Sequence, residues 1–387
     1  MKIAILGYGT IGTGVYEIIQ QYTASDLQDL EVVKVLDLPQ NKDKLDIITS
    51  DINDIVLDPQ IDCVVEVMGG IHPAYEFISA ALTNKKHVVT ANKAVVAAHI
   101  EEFTALANKN GVRFLFEAST GGGIPWIASL KKAKRIDDIH HFYGIFNGTG
   151  NYILDAMTRQ GKDFDVVLKK AQELGYAEAD PSADIDGYDV QNKVVISSAV
   201  AFNALVDMKE FLCYGIRNIT KADIEYFKNL GFTIKYIGEA TMNQNHYEAF
   251  VMPNLFDQSA VEANINSNFN IATLNGQSIG PLKFYGQGAG KLPTANAIVQ
   301  DVIDIECPHT AYNLDFSNQL TYKAVQKNAF VIRTNTKVED VNINKVEEVA
   351  SNYYLHTKEI DADALRELVD KCNDKGVFVA KVAKFEG

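Results

Sequence analysis

The chain has 387 residues, 47% hydrophobic and 22% charged, with a formal net charge of −14. That size and composition suit two or three packed domains, and the acidic balance excludes nucleic acid or an anionic membrane as the main partner, because phosphate binding needs a basic face. Cys63, Cys213, Cys307 and Cys372 stand far apart, so neither a zinc site nor a disulfide framework is expected, and a reducing cytoplasm is. No apolar run approaches the ~18–20 residues that span a bilayer, and MKIAILGYG runs straight into a strand, so no signal peptide is expected.

Lys2–Leu6 predicts a strand, and GYGTIGTGVYEIIQQY follows it with Gly7-x-Gly9-x-x-Gly12 opening a helix. Gly7 permits the tight turn, Gly9 a close approach of a pyrophosphate to the backbone, and Gly12 the packing of helix on strand. The helix N-terminus adds free N–H groups, from about Thr10 and Ile11 on, and a favourable dipole. The motif alone is weak, but a second strand, EVVKVLDL, comes about twenty residues on and ends at Asp37. Asp37 is either a turn residue or the carboxylate that holds a ribose 2′-hydroxyl. Lys42 and Lys44, close behind, would instead serve a 2′-phosphate, so NAD or NADP stays open with a lean to NAD.

Asp62–Met68 reads as a buried strand ended by Gly69-Gly70, Pro73–Asn84 as a helix, and His87–Thr90 as a strand leading into Asn92-Lys93. Helix Ile100–Lys109, strand Arg113–Glu117 and the glycine-rich loop Ser119–Gly123 follow. Such alternation predicts a doubly wound parallel sheet of the Rossmann type, whose ligands sit at the carboxyl ends of the strands. Lys93 stands at one such end, as a site lysine or as an ordinary surface lysine opening a helix.

Beyond Lys131 the texture changes. His140–Phe146 reads as a strand, Asn147–Gly150 as a turn, and a helix follows. Glu173–Lys193 then carries six carboxylates, Glu173, Glu178, Asp180, Asp184, Asp186 and Asp189, and a single base, Lys193. Gly175 suits the end of one helix, and Asp186 is placed to cap the next, from about Tyr188. Asp189 and Lys193 are four apart, hence on one helix face. Alone, they read as a solvated ion pair; the apolar run VVISSAVAFNALV behind them predicts a buried helix and puts the pair at its entrance. Thr233–Gln287 predicts a mostly antiparallel sheet, placed to bury a subunit interface, and Gly286–Gly290 leads into a helix that returns to the first domain. After Phe316, strands NAFVIRTN and NYYLHTKEI, helix Asp361–Asn373 and strand Gly376–Phe385 read as a small α+β unit. The expected domains are 1–130 with 288–316 for the dinucleotide, 131–287 for substrate and dimerisation, and 317–387 at the C-terminus.

Seven collinear stretches (ILGYGTIGTGV, VVEVMGG, KHVVTANKAVVA, FEASTGGGIP, GIFNGTGNYIL, ELGYAEADPSADIDGYDVQNK and GQGAGKLPTA) resemble the homoserine dehydrogenase family over roughly residues 1–305. The resemblance implies NAD(P)-dependent interconversion of L-homoserine and L-aspartate 4-semialdehyde, on the route to threonine, methionine and isoleucine, typically by a homodimer. It implies that Lys193 is the proton donor and acceptor, with Asp189 its acidic partner and Lys93 a lysine at the junction of cofactor and substrate. Glu178 would hold the substrate amino group, with Asp184, Tyr176, Gly148 and Thr149 around the amino acid. The strand-end residues Met68, Gly69, Thr90 and Asn92, with Gly288, would complete the dinucleotide site. The turn Glu117-x-x-Thr120-x-Gly122-x-Ile124 matches the family's monovalent-cation site (Na+ or K+), built largely of main-chain carbonyls.

The chemistry agrees with these roles. Reduction of the semialdehyde builds negative charge on oxygen, which an ammonium stabilises and then protonates; oxidation needs the neutral amine and is expected to be faster at alkaline pH. Three positions depart from the family pattern. Gly150 replaces a common threonine, Leu36 stands where an arginine often precedes the acid, and the tail has ACT-like strands without the D-x-P-G turn of that amino-acid-sensing module. Feedback inhibition by threonine is therefore not expected. The competing readings are a related oxidoreductase acting on another amino-acid semialdehyde, and a non-catalytic NAD(H) sensor that would need neither lysine.

Overall fold

A computed structural model describes residues 1–307, 314 and 316–383. In chain order the first elements are β1 (Lys2–Leu6), α1 (Thr10–Gln21), β2 (Glu31–Leu36), β3 (Ile48–Thr49), α2 (Asn53–Val56), β4 (Cys63–Glu66), α3 (Ala74–Thr83), β5 (His87–Thr90), α4 (Lys93–Asn110), β6 (Phe114–Leu115) and α5 (Trp126–Ala133). Next come β7 (Ile139–Ile145), α6 (Gly148–Gln160), α7 (Phe164–Glu173), α8 (Ser182–Ile185), α9 (Tyr188–Phe202), β8 (Leu212–Cys213), α10 (Lys221–Asn229), β9 (Phe232–Asn243), β10 (His246–Asp257), β11 (Phe269–Gly276) and β12 (Gly280–Gln287). The chain closes with α11 (Lys291–Asp304), β13 (Thr321–Tyr322), β14 (Phe330–Thr334), β15 (Ile343–Val349), β16 (Asn352–Thr357), α12 (Ala362–Cys372) and β17 (Phe378–Val382). It forms two compact units, one of Met1–Asp137, Val195–Ala204 and Gly286–Asn318, the other of Asp138–Val194, Leu205–Tyr285 and Gln319–Gly387.

The first unit is built on a six-stranded sheet in the order β3-β2-β1-β4-β5-β6, and its strand pairs are parallel. That is the order of the doubly wound dinucleotide fold, with its switch point between β1 and β4. Strands of such a sheet are covered on both faces, which is why residues 3–6 of β1 and 63–65 of β4 are apolar and buried. The returning helix α11 presents Ala295, Ile298, Val299 and Val302 to the core, the spacing of one helical face. It lies so close to α1 that a Cβ on Gly14 would sit 3.0 Å from the Ala295 side chain. The sequence-based strand over Arg113–Glu117 shrinks to Phe114–Leu115, because the chain then turns to bring the Glu117 carboxylate to the N-terminus of α5. Helix α4 breaks at His99, whose φ is −135° and ψ 17°, so its second part is the helix expected from Ile100, and a further stretch from Lys93 precedes it, capped by Asn92 accepting from Val95 N–H.

The second unit is built on an eleven-stranded sheet. The long hairpin β9–β10 is antiparallel over its whole length, and β7 pairs antiparallel with β9 and β11. Glycine lets α9 press on this sheet, for a Cβ on Gly238 would stand 2.6 Å from Val190 and 2.7 Å from Val194. The tail does not form a sheet of its own. β17 pairs in parallel with β10 and antiparallel with β14, so the C-terminal strands extend the same sheet. The cause is burial: Phe330, Ile332, Leu355, Leu365, Leu368 and Val379 share one core with Leu212, Phe250 and Met252. Strand β15 was not foreseen, its INKVEEV pattern being mostly exposed. Residues 308–313 and 315 of the expected return 288–316, and Lys384 and Phe385 of the expected last strand, lie outside the described residues.

Candidate active site

Two residues into α9, Asp189 is 3% exposed, and one turn on Lys193 is 8% exposed. The Lys193 ammonium donates to Asp189 Oδ2 at 2.8 Å and to the Phe146 carbonyl at 2.6 Å. A solvated surface pair is thereby ruled out, since such pairs are wet and weak. Asn147 joins the group: its Nδ2 donates to Asp184 Oδ1 at 2.7 Å and to Asp189 Oδ2 at 2.8 Å, while its Oδ1 accepts from Gly150 N–H at 2.6 Å. The amide thus orients two carboxylates and caps α6 at once. Sequence reading took Asn147-Gly148 for a turn; the chain passes instead from β7 directly into α6 with Asn147 as N-cap. The usable signal was asparagine's preference for that cap. Gly148 is required by proximity, as a Cβ there would lie 2.6 Å from the Asn268 carbonyl.

The loop residues fall in two groups. Thr149 Oγ1 donates to the Tyr176 carbonyl at 2.6 Å, which ties the start of α6 to the acidic loop. Tyr176 is 39% exposed and its ring stands edge-on to Tyr152. Glu178 is exposed, with its main-chain carbonyl accepting from Gln172 Nε2. Asp186 is engaged by Arg217, at 2.8 Å and 2.6 Å.

In the first unit the glycine turn has the shape a dinucleotide needs. Gly7 has φ +101°, a Cβ on Gly12 would come 1.9 Å from the Gly7 carbonyl, and the space around Gly9 is open. Thr10 and Ile11 open α1 immediately beyond. Asp37 accepts from Tyr8 N–H in that turn at 2.8 Å, from Leu38 N–H and from Asn41. Burial pushes its carboxyl up, but the bonds from Asn41, Leu38 and Tyr8 and the nearby Lys44 outweigh it and hold it below the usual range. Gly69 has φ +80° at the end of β4, and Met68 N–H and Thr90 Oγ1 both donate to Glu66, a fully buried carboxylate that sequence reading overlooked. Asn92 and Lys93 occupy the cap and first turn of α4. Loop 286–290 packs backbone to backbone on loop 119–123: Gly123 N–H donates to Gln287, and a Cβ on Gly122 would fall 2.5 Å from Gly288.

The expected cation turn is buried. The Glu117 side chain accepts from Ile127 N–H at 2.9 Å and Ala128 N–H at 2.6 Å, so its carboxylate caps α5. Burial, with Asp301 beside it, pushes that carboxyl up to about 8. Thr120 is fully buried and its hydroxyl oxygen has no hydrogen-bond partner, while Ile124 N–H donates to Gly121. Among the described residues no group of three or more His, Cys, Asp or Glu could hold a metal ion, nor is any helix long and apolar enough to cross a membrane.

The family profile described as "Homoserine dehydrogenase" matches residues 125–303, and that described as "Homoserine dehydrogenase, NAD binding domain" matches residues 7–117. The homoserine dehydrogenase of Synechocystis is 44% identical over 79% of this chain and 73% of its own length. That of Pseudomonas aeruginosa is 35% identical over 100% of this chain and 88% of its own. The crystal structure of a homoserine dehydrogenase from Thiobacillus denitrificans superposes with a TM-score of 0.88 at 31% identity, covering 99% of this chain and 98% of that one.

Proposed function

The chain belongs to the homoserine dehydrogenase family of NAD(P)-dependent oxidoreductases, and from that premise we propose that Lys193 exchanges the proton in its interconversion of L-homoserine and L-aspartate 4-semialdehyde. The observation that carries the assignment is the buried amine of Lys193, held by Asp189 and the Phe146 carbonyl within the Asn147–Asp184 group.

In oxidation Lys193 takes the proton from the C4 hydroxyl; in reduction it returns it to the aldehyde oxygen. The nicotinamide, when bound, takes or supplies the hydride at C4. Asp189 and Asn147 fix the direction in which the amine points. Glu178 and Asp184 receive the substrate ammonium, with Gly148, Thr149 and Tyr176 around it. The dinucleotide rests on Gly7, Gly9, Thr10, Ile11 and Gly12, with Met68, Gly69, Thr90, Asn92, Lys93 and Gly288 at the strand ends, and the open space at Gly9, beside a Gly12 packed on the Gly7 carbonyl, supports this. Asp37 favours NAD over NADP, because its carboxylate lies against the glycine turn and would repel a 2′-phosphate. A monovalent cation, Na+ or K+, would take main-chain carbonyls of Glu117, Thr120, Gly122 and Ile124; the unpartnered Thr120 hydroxyl is the feature that fits it. We place the enzyme in the cytoplasm as a homodimer, supported by the wide spacing of its four cysteines along the sequence and by the family resemblance.

The test is homoserine oxidation with NAD and NADP side by side, and semialdehyde reduction with the aspartate and glutamate compounds. Turnover with homoserine and NAD is expected. Binding of NADH without turnover of any of these substrates overturns the reading.

A further inference from the structure

Strands β4 and β5 are parallel neighbours, and their last residues, Glu66 and Thr90, are paired in register. In-register partners share a face of the sheet, so both side chains meet just where the two strands give way to loops. Glu66 is fully buried. Its Oε2 accepts from Thr90 Oγ1 at 2.6 Å; its Oε1 accepts from Met68 N–H at 2.8 Å and, more weakly, from Asn92 Nδ2 at 3.4 Å. Thr90 Oγ1 in turn accepts from Asn92 N–H at 3.0 Å, and Asn92 Nδ2 donates to the Gly70 carbonyl at 2.6 Å. Asn92 is also the N-cap of α4, whose first residue is Lys93. A closed ring of bonds therefore runs from the loop after β4 to the loop after β5, with one carboxylate at its centre.

We propose that Glu66 is a positioning residue: through Met68, Thr90 and Asn92 it holds the two strand-end loops that receive the dinucleotide and sets the place of Lys93. This rests on the functional reading above. The carboxylate is specifically suited to the task. Both its oxygens face donors, whereas a glutamine must turn its amino group toward one of them. The neutral donors at Thr90, Met68, Asn92 and Gly69 only partly offset burial, which leaves the carboxyl above its usual range. Such a charge costs folding free energy that an apolar side chain of similar size avoids. What the acid contributes is geometry at a site where misplacement by about 1 Å can cost on the order of a hundredfold in rate.

The experiment compares wild type, Glu66→Gln, Thr90→Val and the double variant by thermal melting, by the fluorescence of bound NADH, and by steady-state homoserine oxidation. Glu66→Gln is expected to melt within a few degrees of wild type, to raise the NADH Kd and lower kcat by about tenfold each, and to leave the homoserine KM within about twofold. Because Glu66 acts through Thr90, the double variant is expected to be no worse than the weaker single one. NADH affinity and kcat within twofold of wild type, or losses that simply add, overturn the proposal. If Glu66→Gln fails to fold, Glu66→Asp, which keeps the charge but withdraws it by one methylene, is read in the same assays: a weaker NADH affinity supports the role and wild-type values remove it. A wild type that binds NADH but oxidises no homoserine sinks the functional reading alone, and the affinity measurements then decide for Glu66.

Discussion

In the first unit Glu66, Glu117 and Asp301 are buried against neutral donors: hydroxyl, amide and main-chain N–H groups at strand ends and helix starts. In the second, Asp189 meets Lys193, Asp223 meets Arg333, and Glu239 meets Lys381 with His141 beside it. At Glu239 the consequence is opposite in sign to that at Glu117 and Asp301. Burial carries Glu117 to about 8 and Asp301 to about 7; at Glu239 burial also pushes upward, but Lys381 and His141 bring the carboxyl down to about 2. Glu248 shows that the partner decides and not the unit. It lies in the second sheet, yet it accepts from Gln326 and Val325 N–H, and burial takes it to about 7. Neutral donors satisfy a carboxylate's geometry without restoring the free energy of its lost hydration; a cation at bonding distance does both.

The largest expected effect removes the cation from the Asp189 pair. Lys193→Ala should bind NADH as wild type does but lose roughly 10²–10⁴ in turnover, the usual worth of a positioned acid–base group; near-normal steady-state rates would remove Lys193 from the chemistry. Next comes Lys381→Met, which leaves Glu239 buried opposite His141 alone. A loss of about 3–5 kcal/mol in urea unfolding is expected, with Glu239→Gln in the same chain recovering most of it. A cost within experimental error would show that the ion pair does not hold β17 to the sheet.

The smallest effect is in pH. The folded-state values of Glu117 and Asp301 lie above those of an unfolded chain, about 4, so the native protein binds the extra protons between there and 7 to 8. Their stabilising contribution is full below pH 4 and drains as pH rises through about 7 and 8. Melting of the first unit should therefore drop by a few degrees from pH 6 to pH 8.5, and Asp301→Asn should flatten that slope. Glu239 has the reverse sign: its folded value is depressed, so its contribution is present above about pH 4.5 and disappears as pH falls toward 2. A melting point that rises between pH 6 and 8.5, with Asp301→Asn changing nothing, would break the contrast between the two kinds of partner.

The sequence by itself determined the parallel nucleotide sheet, its glycine turn, the antiparallel character of the sheet over 233–287 and the lysine at the mouth of an apolar helix. These follow from patterns a few residues long: an apolar run buried on both faces, glycines where a Cβ has no room, and a four-residue spacing on one helix face. Tertiary structure alone decided what surrounds the lysine. Asn147 reads as a turn until Asp184 and Asp189, distant in sequence, are brought to its amide; Glu66 is one polar residue in an apolar strand until Thr90 arrives beside it. The tail looked separate because nothing local to VFVAKV announces that β10 is its partner. Asp189 finds its cation one helical turn away, but Asp223, Glu239 and Glu66 meet their partners across long stretches of chain, and no short-range rule of sequence encodes those meetings.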